Sequence, residues 1–273
     1  MLRDITLGQF FPGSSVVHKL DPRIKIILSI LYIAIVFTAN SFLGFGLITL
    51  LAAAMIIVSR ISFVTVMKSM KPLLFVMIFT AVINIFWTAG ETVLVQFWKI
   101  TIYKEGVLFA LKMVWRLFLL IAGTFVILTY TTSPVALTDA IERLTRPLSK
   151  LGVPTHEFAM MMSIALRFIP TLIEETDKIM CAQKARGANF ETGSIIKRAK
   201  ALVPILIPLF ISSFRRADEL ASAMECRLYH GGKGRTRLKV LRLSFMDFAA
   251  LFVFVALLSG IILLNIFEIG YII

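Results

Sequence analysis

"IILSILYIAIVFTANSFLGFGLITLLAAAMIIVS", residues 26–59, holds no charged side chain. About 20 apolar residues of helix, at about 1.5 Å each, cross the hydrocarbon of a bilayer. The run is too long for one crossing, and Asn40-Ser41 near its middle has the composition of a turn. It therefore reads as two short spans. Three further uncharged runs, 72–90, 117–138 and 248–267, are each near the length of one span. The count comes to about five transmembrane helices, and the fold class to an all-α polytopic membrane protein.

Composition points the same way. Of the 273 residues, 58% are hydrophobic and 16% charged, and mean hydropathy is +0.88. Soluble domains hold near half apolar residues and about a quarter charged ones. The first span begins at Ile24 behind a polar segment and others follow it, so it is expected to be retained rather than cleaved as a leader. Cys181 and Cys226 are too few and too dispersed for a disulfide framework or a zinc site. His18, His156 and His230 form no ligand motif, and residues 160 and 161 after His156-Glu157 are both Met, so no zinc-protease helix is present. "ECRLYHGGKGRTR", 225–237, is not a phosphate loop. Gly232-Lys233 is followed by Gly234 where a magnesium-binding hydroxyl belongs, and Arg227 stands where the first glycine belongs. No catalytic constellation emerges.

The loop between the second and third spans carries Arg60, Lys68 and Lys71 with no acid, whereas Glu91, Lys99, Lys104 and Glu105 in the next loop cancel. The excess of positive charge places the first loop in the cytoplasm and the second outside. The N-terminus, with Lys19, Arg23 and Lys25, is then cytoplasmic, and Trp87, Trp98 and Trp115 fall at the outer interface. Lys112 and Arg116, at the start of the fourth span, either snorkel outward or face other helices. In "KLDPRIKI", Asp21 suits an N-cap and Pro22 the first helical position, with Arg23 and Lys25 within reach of head groups.

Residues 132–245 hold 18 of the 29 basic and 10 of the 16 acidic side chains, a balance of +8. Such a block suits anionic lipid heads, an acidic partner or RNA; basic residues beside spans are ordinary, which favours lipid. The chain divides into a membrane region of four spans, 1–131, a cytoplasmic domain of amphipathic helices, 132–243, and a final span in 244–273. Three helices are expected in the middle block. One starts at Ser133-Pro134 and stops at Gly152 and Pro154. The second runs from about Thr155 to Arg186, with Phe158, Met162, Ala165, Ile169, Leu172, Ile173 and Thr176 at helical spacing. Arg167, Glu174, Glu175, Asp177 and Lys178 argue against its spanning. Met160, Met161, Met162 and Met180 give it soft, adaptable surface, for a partner or for its own core. The third runs from near Ser194 to near Tyr229, with uncharged residues at 201–214 and a charged second half.

Each long helix closes on one arginine, in Ala185-Arg186-Gly187 and in Cys226-Arg227-Leu228, 41 residues apart. Gly187 suits the left-handed position after a helix, and Gly231-Gly232 lies just beyond the other end. A lone arginine there complements the helix dipole. The repetition favours a docking role, because guanidinium is planar, permanently charged and offers a fork of donors.

At these residues the chain resembles the transmembrane T component of energy-coupling factor (ECF) transporters, built from several spans and long cytoplasmic coupling helices ending in Ala-Arg-Gly-type motifs. Ala185-Arg186-Gly187 matches in full; Cys226-Arg227-Leu228 keeps the arginine. "GGKGRT" and "HKLDPRIK" are also similar to the family. The resemblance implies a multi-pass protein of a bacterial cell membrane that hydrolyses nothing, binds no cofactor itself and has no nucleic-acid partner. It implies two ATP-binding-cassette ATPases carrying the ATP and Mg, docked at Ala185, Arg186, Gly187 and Arg227. A small substrate-binding S component, specific for a vitamin or metal ion, would pack on the spans and coupling helices, with Met161, Met162, Ile169 and Leu172 as the expected contact. ATP binding and hydrolysis would then reorient it. Two rivals remain. A self-contained channel or secondary transporter asks for ionisable residues inside the spans. A membrane-embedded enzyme on lipid precursors asks for clustered acids, for which Glu174, Glu175 and Asp177 are the candidates.

Overall fold

A computed structural model describes residues 10–90, 92–97, 100–188, 190, 194–231, 241 and 243–267. Glu91, Trp98, Lys99, the basic loop from Gly232 onward and the C-terminal "EIGYII" lie outside them. The described residues fall into two compact units, one within Thr138–Val240 and the other within Gly8–Leu137 and Leu241–Ile273.

In the second unit, α1 (Val16–Lys19) leads to α2 (Pro22–Thr38), which starts as the sequence suggests, with Pro22 in its first turn and the Asp21 carboxylate accepting from Arg23 N. The chain turns at Asn40-Ser41 into α3 (Phe42–Ser59). Next come α4 (Phe63–Met70), a single 3-10 turn at Lys71–Leu73 where Pro72 sits, and α5 (Leu74–Trp87). A two-stranded antiparallel hairpin, β1 (Val93–Phe97) and β2 (Ile100–Tyr103), then pairs Phe97 with Ile100 and Val93 with Tyr103. The sequence reading has no strand here; the segment's β-branched and aromatic residues suit one. α6 (Lys104–Thr124) continues through a π turn at Phe125–Thr129, and α10 (Phe245–Ile266) closes the unit.

Five helices are long and apolar enough to cross a membrane: α3, α4 with α5 (Phe63–Trp87), α6 with its π turn (Lys104–Thr129), α8 (Thr155–Ala185) and α10. The chain is an all-α polytopic membrane protein. Membership of the set differs from the expected spans in two places. α2, at 17 residues, is shorter than any member. α8 qualifies because its charges crowd into 174–178, leaving only Glu157 and Arg167 in the turns before them.

α2 is the axis of the membrane unit and packs on α6 and α10. Leu28, Tyr32, Ile35 and Val36 are buried with Phe45, Ile48, Leu119, Ile127, Phe254 and Ile261. The Tyr32 ring lies on Gly123, where any Cβ would collide with it, and its hydroxyl donates to Leu119 O at 2.7 Å. Polar bonds hold both ends of α2. At its C-terminus Arg116 Nη2 donates to Ala39 O, Lys112 Nζ to Asn40 O at 3.3 Å, and Asn265 Nδ2 to Thr38 O. These are orphan carbonyls of a helix end, in a place where water is scarce. Lys112 and Arg116 thus face other helices rather than snorkelling outward. At its N-terminus Lys25 is 1% exposed and does not reach head groups; its ammonium is held by backbone carbonyls, and Arg23 forks onto Asp21. By contrast α5 buries no residue completely and rests on α6 alone among the spans it contacts extensively.

The other unit carries most of α7 (Pro134–Thr145), a 3-10 segment at Arg146–Leu151, α8 and α9 (Ile195–Cys226). Ser133 Oγ accepts from Ala136 N, the expected N-cap, and Gly152, at φ 85°, ends the segment. His156 on α8 meets Glu142 on α7 at 2.9 Å. α8 runs unbroken through Pro170 and α9 through Pro204 and Pro208.

Candidate docking tips and their relatives

α8 and α9 pack antiparallel. Arg216 Nη2 lies 2.8 Å from Glu175 Oε2, and Gln183 Nε2 donates to Pro204 O at 3.4 Å, so rising numbers on one helix meet falling numbers on the other. Arg186 therefore sits beside the first half of α9. Arg227 lies a further 23 residues along α9 from Pro204, about 35 Å at a helix's rise per residue. The pair presents its arginines at opposite ends, so they cannot grip one small anion between them.

Each tip is a Schellman cap. At the first, Gly187 is left-handed at φ 88°, Gly187 N donates to Lys184 O at 3.0 Å and Ala188 N to Gln183 O at 3.0 Å. At the second, Leu228 N donates to Glu225 O at 2.9 Å and Tyr229 N to Met224 O at 3.1 Å. Here Leu228 itself takes the left-handed position, at φ 56°, three residues before Gly231, which is also left-handed at φ 87°. Arg186 (φ −84°, ψ 5°) and Arg227 (φ −92°, ψ 15°) hold the same place in the two caps. The sequence points to Gly231-Gly232 as the glycine beyond that helix and gives no sign that a leucine closes it. Leu228 pays the steric cost that glycine avoids, of order 1–2 kcal/mol.

Both arginines are exposed, as are Ala185 and Gly187. Among the described residues neither guanidinium has a hydrogen bond or ion pair, in contrast to Arg216, Arg23 and Arg116. A fork of donors held at the end of a rigid helix, with no partner among the described residues, suits a carboxylate or a set of carbonyls.

The expected contact residues for a membrane partner lie on the first half of α8. Met161 and Met162 are exposed at 52% and 53%, while Ile169 and Leu172 are half-buried. A second apolar face was not singled out from the sequence. On α9, Leu206, Ile207, Phe210, Ile211 and Phe214 follow one another at helical spacing, each exposed by more than half. The signal available was the uncharged run 201–214, which by itself does not tell a buried helix from an uncovered one.

A family model described as "Cobalt transport protein" matches residues 13–240. The chain is 56% identical to the "Energy-coupling factor transporter transmembrane protein EcfT" of Clostridium kluyveri, over 92% of this chain and 93% of that one. It is 52% identical to the protein of the same name from Ruminiclostridium cellulolyticum, over 97% and 98%, and 44% identical to that of Bacillus subtilis, over 88% and 91%. With both long helices capped on an exposed arginine and with such likeness along nearly its whole length, the chain belongs to the family of transmembrane T components of energy-coupling factor transporters.

Proposed function

We propose that this chain is the coupling subunit of an ECF-type importer, linking ATP hydrolysis on two separate ATPase subunits to reorientation of a small substrate-binding S component specific for a vitamin or metal ion. The observation that carries the reading is the pair of like caps at opposite ends of α8 and α9. At each end stands one exposed arginine with no partner among the described residues, the two about 35 Å apart, suited to two partner copies or two related partners rather than one. Ala185 and Gly187 complete the first docking site. ATP and Mg belong to the partners, and this chain performs no hydrolysis.

The exposed apolar faces of α8 and α9, with Met161, Met162, Ile169 and Leu172 on the former, suit the S component; flexible methionine surface accommodates partners of differing shape. The loop cations Arg60, Lys68 and Lys71 support a cytoplasmic placement for the N-terminus and the coupling helices. A self-contained transporter is less well supported, because Lys112 and Arg116 in α6 are engaged with backbone carbonyls of the α2–α3 turn instead of lining a path.

The test is the double substitution Arg186→Ala and Arg227→Ala. ATP-dependent uptake is expected to vanish, and ATPase chains to be lost from a mild-detergent pull-down, while the protein still inserts. Undiminished uptake would sink the docking role.

A further inference from the structure

The "HKLDPRIK" stretch plays no part in docking, yet it ties three helices together. Lys25 Nζ donates to Thr131 O at 2.8 Å and to His18 O at 3.3 Å. Asp247, 1% exposed at the start of α10, accepts from Asp21 N at 2.8 Å and from Ser244 N at 2.7 Å. Asp21 in turn holds Arg23, whose Nη2 also reaches Leu241 O at 3.4 Å. The N-terminus of α2, the end of α6 and the N-terminus of α10 are thus joined through one buried polar cluster.

A buried ammonium is costly to place in a helix bundle, and apolar packing alone would join the same helices. What the ammonium adds is a directed bond to one chosen carbonyl. That carbonyl stands at a special place. Tyr130 N bonds Phe125 O, closing the π turn, and Thr131 follows at once. A π turn holds one residue more than an α turn, a local break in the regular i→i−4 ladder where a helix end has room to shift. Two residues on, Ser133 caps α7, through which the chain passes into the unit of α8 and α9.

We propose that Lys25 is a positioning residue for energy coupling. By gripping Thr131 O across the π turn it makes a displacement of α7 arrive at α2 and α10 together, instead of being absorbed as a slip at the end of α6. This rests on the coupling role proposed above.

The test is hydrogen exchange on the complex as it co-purifies with its ATPases, with and without ATP plus vanadate. In the wild type, exchange is expected to change at least threefold at both tips, 184–188 and 225–229, and at the cluster segments 20–25 and 244–248. In Lys25→Met the tips still respond and the response at 20–25 and 244–248 is lost. Arg116→Met, which removes a bond at the other end of α2, keeps the full response, so mere loosening of the bundle does not imitate the effect. An unaltered cluster response in Lys25→Met overturns the proposal, as does its loss in Arg116→Met or its absence in the wild type while the tips respond. No response at the wild-type tips overturns the docking role itself. If Lys25→Met does not assemble, Lys25→Gln, whose amide is too short to reach Thr131, carries the same test. Failure of both to assemble would make Lys25 a folding residue and end the proposal.

Discussion

Glu175 and Arg216 close an ion pair of 2.8 Å, and each stands eleven residues before the arginine that caps its own helix, 175 to 186 and 216 to 227. The spacing of 41 that separates the two caps therefore also separates the two members of the pair. Asp177 with Asp218 and Ala182 with Ala223 keep the same offset. Measured from this ionic contact, the C-terminal segments of α8 and α9 are of equal length, about 16 Å each.

This ionic contact is partly exposed, at 36% and 21% for the two side chains. Exposed pairs contribute about 0–1 kcal/mol. Arg216→Ala is therefore expected to lower the melting temperature by no more than a few degrees and to leave uptake largely intact. The charge-swapped double variant Glu175→Arg, Arg216→Glu should recover most of that loss in a thermal-shift measurement. An effect on uptake as large as that of Arg186→Ala would mean that the pair is part of docking.

At the tips, charge and shape separate in the lysine variants. Arg186→Lys and Arg227→Lys keep the charge and lose the planar fork. Each is expected to retain measurable ATPase co-purification with uptake reduced several-fold, between the wild type and the corresponding alanine variant. Full activity in both would make the site a simple point charge.

The two left-handed cap residues should respond in opposite ways. Among the described residues nothing lies within 4 Å of a Cβ placed at Gly187, so Gly187→Ala meets the backbone penalty of φ 88°. That penalty, about 1–2 kcal/mol, exceeds the gain of about 0.4–1 kcal/mol from a stiffer unfolded chain, so the last turn of α8 should fray. Leu228→Gly relieves the same strain and takes on the same entropic loss, so it should be neutral or stabilise the cap by about 1 kcal/mol. Exchange of Ala188 and Tyr229 amides measures both.

In the membrane unit, Gly123→Ala forces a methyl into the buried ring of Tyr32. Overpacking of this kind costs about 1–3 kcal/mol. The variant should melt several degrees lower in detergent, and adding Tyr32→Leu should restore part of the difference by clearing the space.

Local features were legible in the sequence and remote ones were not. Asn40-Ser41 lies between the end of α2 at Thr38 and the start of α3 at Phe42, Ser133-Pro134 opens α7, and the two long helices end within a few residues of their expected ends. Each was carried by caps, breakers or charge-free length, which act over a few residues. The partner of Lys25 is 106 positions away and that of Arg116 is 77, and no periodicity reports such a pairing. Leu228 was missed for another reason. Its residue type disfavours the conformation it holds, and only the bonds made by its neighbours' amides reveal the cap. The hairpin over Val93–Tyr103 is too short for its alternation to stand out from a loop.

A sideways shift of about 5 Å at a tip, on a segment of about 16 Å, tilts that segment by roughly 17°. Because Gln183 on the α8 segment also bonds Pro204, such a tilt at the Arg186 end is handed on to the first half of α9, where the uncovered apolar run 206–214 begins.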